Sequence, residues 1–451
     1  MSRQRLFGPL FSTSQMLEVF SDEQRIQSML DFEAALARAV ARAGIAPAKA
    51  AKTIQAGCDA KHYAMGELAK EATAAGNVAI PLVKALKAFV AKNDPKAAEY
   101  VHWGATSQDA MDTGLVLQLR ESLKIFSGDL AKLGDTLAKS AKRQAGAVMA
   151  GRTWLQQGPP VTLGLKIAGW LDAVDRHRER LRELKPRVLA LQFGGAVGTL
   201  AALGERGPKV ARALAEELDL ELPAIPWHAQ RDRIAEIATA LGLLTGTLGK
   251  IGRDMALLMQ TEVGEAFEPG GPGRGGSSTM PHKRNPVGAA TMLAAGVRVP
   301  ALVSVMLASM MQEHERGLGG WQAEWETLPE ICLLAHGALA RAMEIAEGLE
   351  ADPERMSKNL KMTHGLILAE AAVFALAERM GRTEAVAIVE AACREAAAKE
   401  RELAEVLLED GRVSQAMTRQ ELEARLEPKN YLGSASQWIE SVVAAHRGAR
   451  K

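Results

Sequence analysis

Three short polar segments carry residue types that can do chemistry. "GGSSTMPHKRNP", residues 275–286, follows the glycine-rich run "EPGGPGRG" at 268–275. Glycine widens backbone choice, and Pro281 and Pro286 then narrow it, so a flexible stretch is joined to a fixed one. Between the prolines, Lys283 and Arg284 supply cations and Asn285 an amide. Such a segment can close over a small anion, exclude water and bring Ser277 with it; the other reading is an ordinary surface loop. "HWGATSQD" at 102–109 sets His102, Thr106, Ser107 and Gln108 just before a long helical pattern. Thr and Ser there either simply cap the helix or also leave its amides aimed at an anion. "GRTWLQQGPP" at 151–160 offers Arg152, Thr153, Trp154 and Gln156 ahead of another helix. Three polar loops, each opening a long helix, can converge in a bundle.

Other chemistries fit poorly. "GPGRGGSS" at 271–278 lacks the Lys that a phosphate-binding P-loop places after its last Gly, and no strand pattern precedes it. The nine histidines are scattered, with no HExxH and no Cys/His cluster, so no metal is expected. Cys58, Cys332 and Cys393 lie far apart, which argues for buried thiols in a reducing compartment rather than a disulfide framework. Lys plus Arg is 55 and Asp plus Glu is 54, a formal net charge of +1. That balance excludes a global pull toward nucleic acid or an anionic membrane; cations for a charged ligand must be local. The start, "MSRQRLFGPLFSTSQ", lacks the apolar run of a signal peptide, and no run of about 18 apolar residues occurs. The expectation is a cytoplasmic protein with no membrane span and no nucleic-acid partner.

The elements that must position these loops are helices. One apolar stripe runs Leu115, Leu119, Leu123, Phe126, Leu130, Leu133, Leu137; another runs Ile234, Ile237, Leu241, Leu244, Leu248, Ile251, Met255, Leu258. A third passes through Leu163, Ile167, Leu171, Val174, Leu181, Leu184 and Val188, with Pro186 as a kink. Spacings of three and four put one apolar face along each helix. Stripes this long suggest a bundle seam that continues across subunits, the alternative being a large helical monomer. Shorter helices to residue 107, long ones from 108 to 352, and a tail after "GLEADPERM" divide the chain into domains 1–107, 108–352 and 353–451.

"GSSTMPHKRNP" at 276–286 closely resembles the signature of the fumarase/aspartase superfamily, GSSxMPxKxNP. "HWGATSQD" and "GRTWLQ" resemble its other two signature regions in the right order, so the resemblance covers essentially the whole chain. It implies an all-α, three-domain subunit whose long central helices build a 20-helix core in a homotetramer, each active site drawing on three subunits. No cofactor is implied. The shared chemistry is proton removal next to a carboxylate through an aci-carboxylate, then loss of a group from the β-carbon. On this resemblance Ser277 is the general base. Lys283 and Asn285 grip one carboxylate and Thr106 and Ser107 a second. Arg152, Thr153, Trp154, Gln156, Ser278, Met280 and Arg316 complete the substrate-binding set. A serine is a poor base unless its alkoxide is stabilised, which a closed loop with backbone amides and Lys283 nearby can supply. His102 either orients substrate or donates a proton, or else simply packs beside Trp103.

Two departures narrow the activity. Where the superfamily's second motif reads GRTHxQ, this chain has Trp154, and the Glu that pairs with that His, seven residues past the signature Lys, is Ala290. Amine or hydroxide leaving groups need proton help; a carboxylate, with a conjugate-acid pKa near 4, does not. Intramolecular attack of a carboxylate on a double bond also avoids the entropy of bringing two molecules together. The expected substrate is thus a small tricarboxylate that closes to a lactone. "AGNVAIPLVKAL" at 75–86, "PWHAQRDR" at 226–233 and "EHERGLGGWQAEWETLP" at 313–329 resemble the cycloisomerase branch. In the last, Trp321 and Trp325 stand where adenylosuccinate-lyase-like members hold a phosphate with Ser and Arg, and Arg316 remains for a carboxylate. The rival readings are another lyase of the superfamily and a non-catalytic scaffold of the same fold.

Overall fold

The apolar stripes become buried faces of long helices. A computed structural model of the chain describes residues 6–271 and 273–448; Pro272, which breaks the glycine run, and both ends of the chain, including the first five residues of the segment read for a signal peptide, lie outside them. Helix α1 (Asp22–Arg42) begins on Ser21, whose hydroxyl accepts from the Gln24 amide, with Asp22 and Glu23 in its first turn to meet the positive end of the dipole. Helix α2 (Ser107–Arg143) is 37 residues long, roughly 55 Å at 1.5 Å per residue. It is followed by α3 (Leu163–Val188), α4 (Asp232–Met259), α5 (Val287–Ala308) and α6 (Gly320–Glu347). All eight stripe positions of α4 and all seven of α3 are buried. Pro186 lies in the last turn of α3, and the helix runs past it to Val188.

The chain resolves into two compact units. The first comprises Met1–Leu130, His177–Gly249 and Thr291–Ala340; the second comprises Ala131–Arg176, Lys250–Ala290 and Arg341–Lys451. All five helices from α2 to α6 lend residues to both. In the first unit, Ile54, Leu68, Leu82, Leu86 and Val90 of short helices close a core against Ile26, Met29 and Leu30 of α1. In the second, a separate core joins Leu376, Ile388, Leu403, Leu407 and Leu422 from the short helices of the tail.

The fold is all-α, with one feature absent from the sequence reading. Residues 151–160, read as a polar loop, form most of an antiparallel hairpin of β1 (Val148–Thr153) and β2 (Gln156–Thr162) that leads straight into α3. The register shifts between Ala150 and Gly151, and a Cβ on Gly151 would meet the Pro159 carbonyl oxygen at 2.6 Å, so only glycine fits at the bulge. Among the described residues the remaining strands are the two-residue β3 (Ala266–Phe267) and β4 (Glu350–Ala351), paired with each other.

By length and composition α4 and α5 could each cross a membrane, with mean hydropathies of 1.3 and 1.7 over 18-residue windows. Interspersed Gly, Thr and Ser hide this in a search for unbroken apolar runs. Only 28% of the α5 window is buried within the chain.

Candidate active site

In the first unit the site is built on the start of α2. Thr106 is the residue before the helix, and Asp109 occupies its third position, reaching back so that its Oδ2 accepts the Thr106 amide at 3.0 Å. This is half of a capping box. The Thr106 hydroxyl is left for another partner, and Arg316 donates to it at 3.0 Å. The rest of the Arg316 fork is held by the carbonyl oxygens of Ala196 at 2.7 Å and Gly195 at 3.4 Å. Among the described residues no carboxylate pairs with Arg316. A half-buried guanidinium braced only by neutral oxygens keeps its full charge for an incoming anion. Ser107 sits beside Thr106 at the first helical position, half-buried. Gln108 instead turns inward, bonding Asp112 and the His228 carbonyl.

His102 stands at the head of the same segment with φ +60°, and Gly104 follows at φ +77°. Its Nδ1 lies 2.5 Å from the carboxylate of Glu33, a buried residue of α1. Burial opposes the imidazolium, but the charge and hydrogen bond of Glu33, helped by Asp109, outweigh it and raise the His102 pKa. The pair therefore stabilises the fold fully below the unfolded histidine value of about 6.5, and that contribution is lost as pH rises through the raised folded value. Thermal melts of the wild type and Glu33→Gln across pH should differ most below that point and converge above it. A difference that does not vary with pH would exclude the ion pair.

Behind this surface lies a polar layer that the sequence reading missed. Asp112 and Glu324 clamp the buried guanidinium of Arg231, which also lies 5.0 Å from the Trp227 ring centroid. Trp321 donates to Asp112 at 3.0 Å and packs edge-on against Trp325, so Trp321 belongs to this buried layer. One turn away, Asp109 pairs with His228. The signal was present as D-x-x-D at 109–112 and H-x-x-R at 228–231, two carboxylates and two nitrogen-bearing side chains at the same spacing. The first unit also holds an open cavity of about 490 Å³, to which Asn77, Val78 and Trp325 from two of the branch-like segments contribute.

In the second unit the glycine-rich segment is a closed loop. The Asn285 amide donates to the Gly275 carbonyl at 2.8 Å, and a Cβ on Gly275 (φ +65°) would meet the Asn285 oxygen at 2.5 Å. Inside this closure Ser277 Oγ accepts the amides of Met280 at 3.0 Å and Thr279 at 3.2 Å. Two donors converging on one hydroxyl oxygen are what a forming alkoxide needs. Lys283 is exposed on the same loop, with Ser278 and Met280. The base of the loop is fastened twice. Glu268 accepts the first amides of α5, Gly288 at 2.9 Å and Ala289 at 2.6 Å. Arg284 makes a two-pronged pair with Glu350 and lies over Phe267; its hydrogen bonds, with that from the Gly270 amide, hold the Glu350 carboxyl below its usual range.

The hairpin presents the other second-unit candidates. Arg152 gives both terminal nitrogens to the buried Glu265 at 2.8 Å each, and Asn359 donates to the same carboxylate. The Arg152 side chain thus fastens the hairpin, a role the sequence reading had not assigned. Thr153 and Gln156 flank the tip, formed by Trp154 (φ +54°) and Leu155 (φ +65°), which are 96% and 72% exposed. Such turns normally take Asn or Gly, and two bulky side chains here carry backbone strain. The candidates thus divide between the units: His102, Thr106, Ser107 and Arg316 in the first, and Arg152, Thr153, Trp154, Gln156, Ser277, Ser278, Met280, Lys283 and Asn285 in the second.

A family model described as lyase matches residues 11–301, and one described as adenylosuccinate lyase C-terminus matches 365–442. The chain belongs to the fumarase/aspartase superfamily. Within it, the chain is 58% identical over 442 residues to the 3-carboxy-cis,cis-muconate cycloisomerase of Pseudomonas aeruginosa, covering 98% of this chain and 96% of the relative. The crystal structure of the 3-carboxy-cis,cis-muconate lactonizing enzyme from Pseudomonas putida superposes with a TM-score of 0.95 at 54% identity, covering 99% and 100% of the two chains. That of β-carboxy-cis,cis-muconate cycloisomerase from Acinetobacter calcoaceticus gives 0.93 at 44%, covering 98% and 100%.

Proposed function

We propose that this chain is a cofactor-independent cycloisomerase that interconverts 3-carboxy-cis,cis-muconate and 4-carboxymuconolactone in protocatechuate breakdown. The observation that carries the reading is the Ser277 oxygen under two amides, on a chain whose hairpin tip is Trp154 and whose position 290 is Ala. From the lactone side, the Ser277 alkoxide takes the proton next to a carboxylate. The electron pair moves into that carboxylate as an aci-carboxylate, which Lys283 and Asn285 bind. Its collapse forms the double bond and expels the ring oxygen as a carboxylate, a leaving group that needs no acid. In the lactonising direction the same steps run backward: the tricarboxylate closes to a dicarboxylate lactone, and the proton that Ser277 gives to carbon is replaced from solvent, so atoms and charge balance. Arg316, Thr106 and Ser107 hold a second carboxylate, with the His102–Glu33 pair beside them. Arg152, Thr153, Trp154, Gln156, Ser278 and Met280 shape the substrate's surroundings. Trp154, which has no ionisable proton near neutral pH, lines the pocket and does no acid chemistry.

The working particle is a cytoplasmic homotetramer of three-domain subunits, divided at 1–107, 108–352 and 353–451, with sites shared between copies. The strained, exposed Trp154–Leu155 tip supports this, because a bulky left-handed turn persists where surroundings hold it. So does the apolar face of α5, where Val297 is 77% exposed and Val305 and Leu307 also face outward.

The test is the loss of conjugated-diene absorbance on mixing purified protein with 3-carboxy-cis,cis-muconate, without metal or nucleotide. Adenylosuccinate is run in parallel, and the same preparation is sized by sedimentation. Rapid diene loss, an inert nucleotide and a tetramer are expected. A stable diene would overturn the cycloisomerase reading, and cleavage of adenylosuccinate would favour the lyase alternative.

A further inference from the structure

The inference rests on the reading of Arg316 and Thr106 as ligands of a substrate carboxylate. We propose that the buried Asp109–His228 pair is the positioning element of that anion receptor. Neither residue reaches the surface: Asp109 is 0% and His228 3% exposed. The Asp109 carboxylate nevertheless gathers five donors. Its Oδ1 accepts from His228 Nε2 at 2.7 Å, the Gly194 amide at 3.0 Å and Gln192 Nε2 at 3.1 Å. Its Oδ2 accepts the amides of Gly195 at 2.9 Å and Thr106 at 3.0 Å.

These donors coincide with the residues that hold Arg316. Its fork bonds Thr106, Gly195 and Ala196. Two of the three have their own amides on Oδ2 of Asp109, and the third is the next residue along the chain. One buried oxygen therefore holds the backbone of two of the three residues that brace the guanidinium, and the third is tied to it through the chain. His228 holds that carboxylate through Oδ1, and its own carbonyl accepts Gln108 at 3.0 Å, so both ends of the histidine are fastened. The surroundings cannot easily take up slack. A Cβ on Gly194 would meet Pro226 at 2.7 Å and the His228 ring at 2.9 Å, and one on Gly195 would meet the Gly104 carbonyl oxygen at 2.9 Å. Loss of the histidine donor would remove the shortest of the five bonds and let the carboxylate settle toward its remaining four donors, shifting the Thr106 amide and the 194–196 turn with it.

A carboxylate away from the reacting bond is held alike in the ground and transition states, so misplacing its receptor should raise KM and spare kcat. The experiment uses the full-length enzyme with His228→Leu and His228→Gln. It reads kcat and KM on 3-carboxy-cis,cis-muconate, the Kd of tricarballylate as a non-reacting tricarboxylate, and thermal melting. His228→Leu should raise KM and Kd in parallel by about tenfold, with kcat within about threefold. His228→Gln, whose amide can still donate to Asp109, should bring both constants back to within about threefold of the wild type. If the leucine variant does not fold, Asp109→Asn, which puts a donor where five donors point, should give the same parallel rise.

A lower melting temperature with unchanged KM and Kd would overturn the proposal by making the pair merely structural. A collapse of kcat at constant KM, or a glutamine variant as impaired as the leucine one, would overturn it too, as would a wild type that binds no tricarballylate. A wild type that binds tricarballylate with the expected dependence on His228, but leaves carboxymuconate untouched, supports the receptor and sinks only the activity reading.

Discussion

Ser277→Ala is expected to lower kcat by about 10²–10⁴-fold, the range that a positioned general base contributes. The hydroxyl oxygen is the group that the two amides of Thr279 and Met280 address. Alanine leaves those donors in place with nothing to carry the proton. The fold should not notice: Ser277 is on a partly exposed loop whose closure runs through the Gly275–Asn285 backbone bond and the Arg284–Glu350 pair. Melting should shift by no more than surface substitutions usually cause, about 0.5 kcal/mol. Binding of tricarballylate should also survive. Turnover near the wild-type rate would remove Ser277 from the role of base.

Lys283→Ala has the next largest expected effect, a loss of about 10²–10³-fold in kcat/KM, the scale for removing one preorganised charge partner of a developing oxyanion. The physical case is the second negative charge that appears on the substrate carboxylate when the proton leaves. Arg284, the adjacent cation, cannot replace Lys283, because its guanidinium is committed to Glu350 and the Glu268 carbonyl. Lys283→Arg keeps charge but changes shape and reach, so it should recover only part of the loss. Kinetics of the three proteins on 3-carboxy-cis,cis-muconate decide it. An alanine variant affected only in KM would move Lys283 from transition-state stabilisation to ordinary substrate binding.

The local rules reached far along this chain. Three-and-four spacing was enough to mark the buried faces of α3 and α4, because burial of one stripe on a long helix follows directly from the pattern. The run ending at Gly275 and the prolines at 281 and 286 could be read as a flexible stretch joined to a fixed one, since glycine widens backbone choice and proline narrows it wherever they stand. The family likeness of the 276–286 motif pointed to Ser277, Lys283 and Asn285, and their place on one closed loop agrees with its length and composition. The hairpin at 148–162 was harder. Its strands are short and rich in Gly, Gln and Pro, and its turn is Trp-Leu, so none of the usual hairpin signals is present.

What only the tertiary structure decided concerns partners distant in sequence. Arg152 could be picked from its motif, but not that Glu265 holds it, because nothing local links residues 113 positions apart. His228 looked like one letter in a pattern; its closeness to Asp109, 119 positions away, makes it a buried fastening. Arg316 shows the difference most plainly. The sequence by itself determined a cation in the right segment of a superfamily chain. Folding decided that this cation is braced by a hydroxyl and two carbonyls instead of being neutralised by a carboxylate. That choice separates a receptor from a structural ion pair, because the charge available to a ligand depends on which groups the fold brings within about 3 Å of it.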